Sequence, residues 1–442
     1  MVYARIIRAI KRMVLYGLSW GILPLIVFVM FVSLMARYRA FRKAQVVVIM
    51  PEGGFGHTVQ GPDVARRLFS GRRCVFVVLS DYGRHNWKVA TIWPDIRLIF
   101  LPLTLGITVG TLSIAVGHAS WLKKYGPVIV QGFARMVSGS HALLVVSLLD
   151  LYARIPIAHD LKTAIQAVPD YRRHHIAVFD LMMKVAARPV HIPLKWREEI
   201  QGKLDLVAAN CGRPFLKNIC CLYLRQKGRG GDASTSSRNG SLLEAYVPAV
   251  RLLNRAGFQV LLIGDVPLSS LLYNEFGGLL IDAKNSHIDK EIFDLYAATE
   301  ADIFIGEHGG GLILPGLNSI PRLIVNAFPY YIALPNSWVY FKKVRDQAGR
   351  LVHFRRVFAE YAYNFDISGM TVHNNTAEEI YEAVSCFIED SSQREALDPN
   401  AHVVAQLPDH AWIKHIVNAR LSPAFLKSFD REYIKTECEA RL

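Results

Sequence analysis

Residues 302–311 read Asp302-Ile303-Phe304-Ile305-Gly306-Glu307-His308-Gly309-Gly310-Gly311, and an apolar, helix-like stretch follows from Leu312 to Leu317. A brief apolar run that ends in glycines is how a strand buried on both faces of a parallel sheet reads. Upstream, Ile219 to Leu224 (ICCLYL) is a second such strand, followed by the polar loop KGRGGDASTSSRNGS from Lys227 to Ser241. Leu243, Tyr246, Val247, Val250 and Leu253 then recur at helical spacing, and Gln259 to Ile263 (QVLLI) is a strand closed by Gly264-Asp265. A short helix is expected over Ile292 to Thr299, and Pro321 to Asn326 (PRLIVN) is a further strand. Thr376 with Glu379 three residues on forms a capping box for a helix to about Asp390. Strand and helix alternate throughout, which predicts a doubly wound α/β domain.

The same grammar opens the chain's other half. Gln45 to Met50 (QVVVIM) is a buried strand, PEGGFGHTVQG a glycine-rich turn, and Pro62 to Phe69 a helix with Pro62 at its first position. Cys74 to Ser80 (CVFVVLS) is the next strand, completing a βαβ unit. The fold expected is α/β with two Rossmann-type domains. The boundaries predicted are a membrane segment over 1–43, a first domain over 44–215, a second over 216–390 and a helical tail over 391–442.

At 442 residues without a repeat, two or three domains are the natural count. Hydrophobic residues at 52% and charged residues at 20% exclude long disorder. Lys+Arg is 51 against Asp+Glu 37, a net charge of +14 that suits phosphate ligands or an anionic bilayer. No groove-reading motif accompanies that charge, so no nucleic-acid partner is expected. The six cysteines have neither disulfide-framework nor zinc spacing, and no metal or cofactor is expected.

Met13 to Ala36 are 24 residues without a charge. As a helix they would cover roughly 36 Å, enough for a hydrocarbon core of about 30 Å. Arg5, Arg8, Lys11 and Arg12 precede the segment, and Arg37, Arg39, Arg42 and Lys43 follow it, so the positive-inside rule gives a tie. A single span and a re-entrant helix bent at Pro24 both remain open, each with the soluble body in the cytoplasm.

Three constellations can carry chemistry. Gly53, Gly54, Gly56 and His57 form a turn after a buried strand, where the backbone can approach a ligand and an imidazole titrates near neutrality. Glu307, His308, Gly309, Gly310 and Gly311 lie at a strand's carboxyl end, where open α/β sheets bind ligands, and successive glycine N–H groups suit a diphosphate. Arg225, with Arg229, Arg238 and Asn239 in the loop behind it, offers guanidinium groups for phosphate oxygens.

With these motifs in view, the chain resembles the GT-B glycosyltransferases. PEGGFGHTVQG is similar to the glycine-and-histidine loop of the transferase that adds N-acetylglucosamine to the lipid-linked peptidoglycan precursor. LYLRQ, SSRNGSLLEAY, FQVLLIGD, IFDLYAATEADIFIGEHGGG and PRLIVN resemble a bacterial GT-B group found with surface-polysaccharide genes. The resemblance implies two domains facing a cleft. It implies a nucleotide-sugar donor held by Arg225, Arg229, Arg238, Asn239, Gly264, Asp265 and the Glu307 to Gly311 turn. It places Gly53, Gly54, Gly56 and His57 on the acceptor side. An E-x7-E pair of retaining enzymes is missing because residue 315 is proline, so inversion is expected, with His57 as base and Glu52 or His159-Asp160 as rivals. The acceptor implied is a lipid-linked or envelope glycan at a bacterial inner membrane. The competing readings are a GT-B-fold nucleotide-sugar epimerase and a non-catalytic scaffold binding polysaccharide assembly proteins.

Overall fold

The computed structural model describes residues 21–442 apart from 51–54, 81–85, 103–104, 110–111, 117–118, 139–142, 158–169, 226–239, 331–336, 362–366, 368, 392–419 and 440–442. The chain divides into two compact units, Met1–Ile155 and Pro156–Leu442.

In the first unit, helices α1 (residues 21–35) and α2 (Tyr38–Lys43) precede strand β1 (Val46–Met50). Helix α3 (Phe55–Leu68) leads to β2 (Cys74–Ser80) and β3 (Ile96–Pro102). A small antiparallel hairpin, β4 (Leu105–Val109) and β5 (Leu112–Val116), precedes α4 (Ala119–Val137), β6 (Leu144–Ser147) and α5 (Leu148–Ala153). The sheet order is β3-β2-β1-β6, all parallel. β1 and β2 are buried along their whole length, as strands covered on both faces must be. Val47, Ile49, Val75, Val77 and Leu79 form one core with Leu23, Ile26, Met30 and Leu34 of α1 and Leu122, Val130 and Phe133 of α4. On α3, a Cβ at Gly61 would stand 2.6 Å from Phe76 Cζ, so only glycine lets that helix lie this close to the sheet.

Two expectations change here. Helix α3 carries Pro62 inside it rather than at its first position, and takes in His57. The spanning helix is not supported, for among the described residues no helix is long and apolar enough to cross a membrane. In the described part of that segment, residues 21–35, one stripe of Leu23, Ile26, Met30 and Leu34 packs in the domain's own core. Residues 1–20 lie outside the described residues.

The second unit opens with α6 (Asp170–Lys184) and α7 (Leu194–Asn210). It continues with β7 (Asn218–Leu224), a 3-10 turn at Leu243–Tyr246, α8 (Val247–Arg255), β8 (Phe258–Gly264), α9 (Ser270–Phe276) and β9 (Leu280–Asp282). Then come α10 (Lys290–Glu300), β10 (Ile303–Gly306), α11 (Ile313–Leu317), β11 (Arg322–Ala327) and β12 (Ser337–Phe341). The pair β13 (Lys343–Arg345) and β14 (Thr371–His373), helix α12 (Ala377–Ser391), strand β15 (Arg420–Leu421) and helix α13 (Pro423–Glu439) complete it. The sheet order is β15-β12-β11-β10-β7-β8-β9, again parallel throughout. Read from β9 to β12, this is the 3-2-1-4-5-6 order of a dinucleotide-binding fold, with its switch point between β7 and β10.

The two compact units part after Ile155, so residues 156–215, expected in the first domain, group with the second unit. The linker after α6 and helix α7 are tied to the second unit: Asn318 bonds the backbone of Val190 from both ends of its amide, at 2.9 and 2.8 Å, and the Tyr296 hydroxyl donates to Gln201 at 2.7 Å. The capping box at α12 forms as the sequence requires, with Thr376 N–H donating to Glu379 at 2.9 Å and Glu379 N–H to the Thr376 hydroxyl at 3.2 Å. The last helix is not a loose tail, because Glu432 pairs with Lys343 and Arg345, and Lys343 also with Glu379.

Candidate functional site

At the switch point of the second unit, β7 ends at Leu224 and hands over to Arg225, and β10 ends at Gly306 and hands over to Glu307. The two strands stay locked past their ends: Glu307 N–H donates to Tyr223 carbonyl at 3.1 Å. Arg225 N–H donates to Glu307 Oε2 at 2.9 Å, and its carbonyl accepts from Gly240 N–H at 2.9 Å. The half-buried Arg225 is thus fixed by its backbone at the carboxyl edge of the sheet. Next to it Gly264 turns at φ +108°, where a Cβ would fall 2.0 Å from Leu224 carbonyl oxygen; Asp265 follows, exposed.

Glu307 itself is 1% exposed. Its Oε1 accepts from Tyr246 hydroxyl at 2.6 Å, Ser241 N–H at 2.8 Å and Asn326 amide at 3.0 Å. With Arg225 N–H on Oε2, four donors from four segments converge on one carboxylate. Burial pushes its pKa up, and the bonds from Tyr246, Arg225, Ser241 and Asn326 pull it back. The nearby Lys342, also 1% exposed, is drawn down by burial to about 8, with Glu307 acting the other way. The Glu307 side chain, expected among the donor-binding groups, is turned inward. Its oxygens are engaged by the protein, and it holds Arg225 and residues 240–241 in place.

Around that hub, Asn326 adopts φ +50° and exchanges two 2.6 Å bonds with Asn375, each N–H donating to the other's side-chain oxygen. Asn374 amide donates to Gly240 carbonyl at 2.8 Å. Tyr246, Asn326, Lys342 and Asn375 were not singled out from sequence. Tyr246 reads there only as an apolar position of a helix, and Asn326 only as a strand end.

The glycines after Glu307 wrap the ring of Tyr223. A Cβ at Gly309 would stand 2.2 Å from the Tyr223 hydroxyl and one at Gly311 2.9 Å from its ring. The Tyr223 hydroxyl, pushed up to about 12 by burial, is bonded by the backbone of Gly311. The helix beyond, α11, has five residues, so its dipole is small. His308 and Gly310 are half-buried, and Gly309 and Gly311 are buried. In the first unit, His57 is half-buried, its pKa drawn below the usual imidazole value by desolvation, and its Nδ1 has no hydrogen-bond partner among the described residues. Gly56 is half-buried beside it. Glu52, Gly53, Gly54, His159, Asp160, Arg229, Arg238 and Asn239 lie outside the described residues.

No protein-family model matches the chain, and no curated protein sequence matches it. Among solved structures, the glycosyl transferase family 9 protein from Veillonella parvula is similar at 9% identity and a TM-score of 0.43, over 78% of this chain and 97% of its own. The E. coli heptosyltransferase WaaC with ADP-2-deoxy-2-fluoro heptose is similar at 12% identity and a TM-score of 0.34, over 78% and 99%. The wall teichoic acid polymerase TagF is similar at 9% identity and a TM-score of 0.28, over 99% and 98%. These likenesses are distant.

Proposed function

We propose that the chain is a GT-B-type glycosyltransferase that moves a sugar from a nucleotide-sugar to a lipid-linked or envelope polysaccharide acceptor. It works without a metal, with inversion, at the cytoplasmic face of a bacterial inner membrane. The observation that carries the reading is the switch point of the second unit. Arg225 and the Glu307–Gly311 turn leave the two central strands where their order reverses, which is where open α/β sheets take nucleotides.

In this reading Arg225, with Arg229, Arg238 and Asn239 of the adjoining loop, holds the donor's phosphates, and Asp265 accepts from hydroxyls of the nucleoside. Glu307 is a positioning residue that fixes the backbone of Arg225. On the acceptor side, His57 is the base. Desolvation keeps its imidazole neutral near pH 7, so it can take the acceptor's proton. The acceptor oxygen then bonds the anomeric carbon, the bond to the phosphate oxygen breaks, and the departing nucleotide carries that electron pair into the guanidinium's field.

The test is incubation of the purified chain with UDP-, GDP-, ADP-, dTDP- and CMP-linked sugars and a polyprenyl-linked acceptor. Nucleotide release and the anomeric configuration of the product are followed by NMR. One donor should be consumed with inversion. An isomerised nucleotide-sugar as sole product would favour the epimerase, and no turnover across the panel would sink the reading.

A further inference from the structure

Helix α1 is apolar all round, yet the domain covers only one stripe of it. Leu23, Ile26, Met30 and Leu34 are buried, whereas Leu25, Phe28, Phe31, Val32 and Met35 on the opposite side are 44–62% exposed. A helix without a polar face requires an apolar environment on both sides. α4 packs beside it, with Phe133 edge-on to Phe31 at 6.4 Å, and adds Val128 at 61% and Met136 at 70% exposure. Large apolar side chains left exposed on two packed helices mark an interaction site.

The charges in these segments say what the partner is. Neither residues 21–45 nor α4 contains an aspartate or glutamate. Arg37, Arg39, Arg42 and Lys43, all exposed, follow α1 directly, and Lys124 and Arg135 are exposed on α4. Apolar side chains bordered only by cations match the acyl boundary and headgroups of an anionic bilayer. The inner stripe of α1, Leu23, Ile26, Met30 and Leu34, is already committed to the domain's own core, which leaves the opposite face for the lipid.

We propose that the exposed face of α1, extended by α4, lies in the plane of an anionic membrane, half-embedded, so that the first unit docks on lipid without α1 crossing it. This deepens the membrane setting of the proposed function by naming the docking surface. Lipid binding and sugar transfer are nonetheless read out separately below.

The experiment is flotation of the full-length chain with vesicles of phosphatidylcholine alone or mixed in equal parts with phosphatidylglycerol. Wild type should float with the mixed vesicles, less with the neutral ones, and less at high salt. The triple variant F28S/V32S/M35S should partition at least about tenfold more weakly, since each exposed apolar side chain adds to binding. The variant R37Q/R39Q/R42Q should lose the preference for phosphatidylglycerol. Unchanged circular dichroism and melting temperature show that both remain folded, because the altered side chains are exposed. Nucleotide-sugar turnover with a water-soluble acceptor, without vesicles, reports the catalytic reading independently. Undiminished flotation of F28S/V32S/M35S overturns the proposal. So does light scattering showing that this variant merely converts a dimer to a monomer, because the face then belongs to a second copy. Resistance of wild type to alkaline carbonate extraction also overturns it, since that marks a span.

Discussion

The Tyr246 hydroxyl donates to Glu307 Oε1 at 2.6 Å, joining residues 61 apart in sequence inside the core of the second unit. This bond belongs to a hub in which one carboxylate collects donors from the end of β7, from residue 241, from the turn before α8 and from β11. Breaking it should therefore be felt throughout the carboxyl edge of the sheet.

Tyr246→Phe removes one donor and should cost about 1.5–3 kcal/mol in urea denaturation, the usual net worth of a hydrogen bond to a charged group. Glu307→Ala strands four buried donors together and should cost about 3–5 kcal/mol. Equal effects of the two would contradict a shared hub.

Gly240→Ala places a Cβ 1.6 Å from Glu307 Oε2, so either the carboxylate or the loop must move. A loss of about 1–3 kcal/mol is expected, the range for overpacking a filled interior. Gly202→Ala is the matched control. It lies inside α7 with nothing within 4 Å of its Cβ, and should stabilise by about 0.5–1 kcal/mol.

The buried Lys342 makes stability depend on pH. Its folded pKa, about 8, lies below the ordinary 10.5, so the folded state binds this proton less well than the unfolded state. Stability from this group is therefore full above pH 10.5 and lost as pH falls through 8. Between those limits it should change by about 3.5 kcal/mol at most, from roughly 1.4 kcal/mol per pH unit. The difference in unfolding free energy between wild type and Lys342→Met, followed across this window, isolates the effect; a flat difference would contradict it.

For His57 the sign refers to activity. Its pKa is lowered by burial, so the imidazole remains a competent base at pH values where a free histidine would be half protonated. The kcat/KM profile should hold level near pH 7 and fall only below the usual pKa of about 6.5. His57→Ala should lower kcat by about 10²–10⁴ while donor affinity, measured by calorimetry, stays unchanged. Retained kcat would pass the role of base to another group.

Legibility in the sequence followed local order. VVVIM, CVFVVLS, ICCLYL, QVLLI, DIFI and PRLIVN announce themselves because strands buried on both faces need unbroken apolar runs, and each is a strand in the structure. The Thr376–Glu379 capping box was equally plain, since both halves of its bonding lie within four residues. What stayed hidden depends on distance along the chain. The three-residue β9 and the edge strand β15 exist only through their neighbours. Glu307 looked like a ligand group because nothing in DIFIGEHGGG reveals that Tyr246, Ser241 and Asn326 come to meet it. Nor does the triglycine reveal that Gly309 and Gly311 lie against Tyr223, eighty-odd residues earlier. Hydropathy, likewise, does not say which stripe of α1 the domain's own core will cover.

The most direct measurement is a thermal shift of the chain against the nucleotide-sugar panel, wild type beside Arg225→Ala, because a ligand that binds only the native state raises the melting temperature. At least one donor should raise the wild-type melting temperature, and the same donor at the same concentration should leave Arg225→Ala nearly unmoved. A shift that survives the substitution intact would place the nucleotide somewhere other than the junction of β7 and β10, and the account would fall with it.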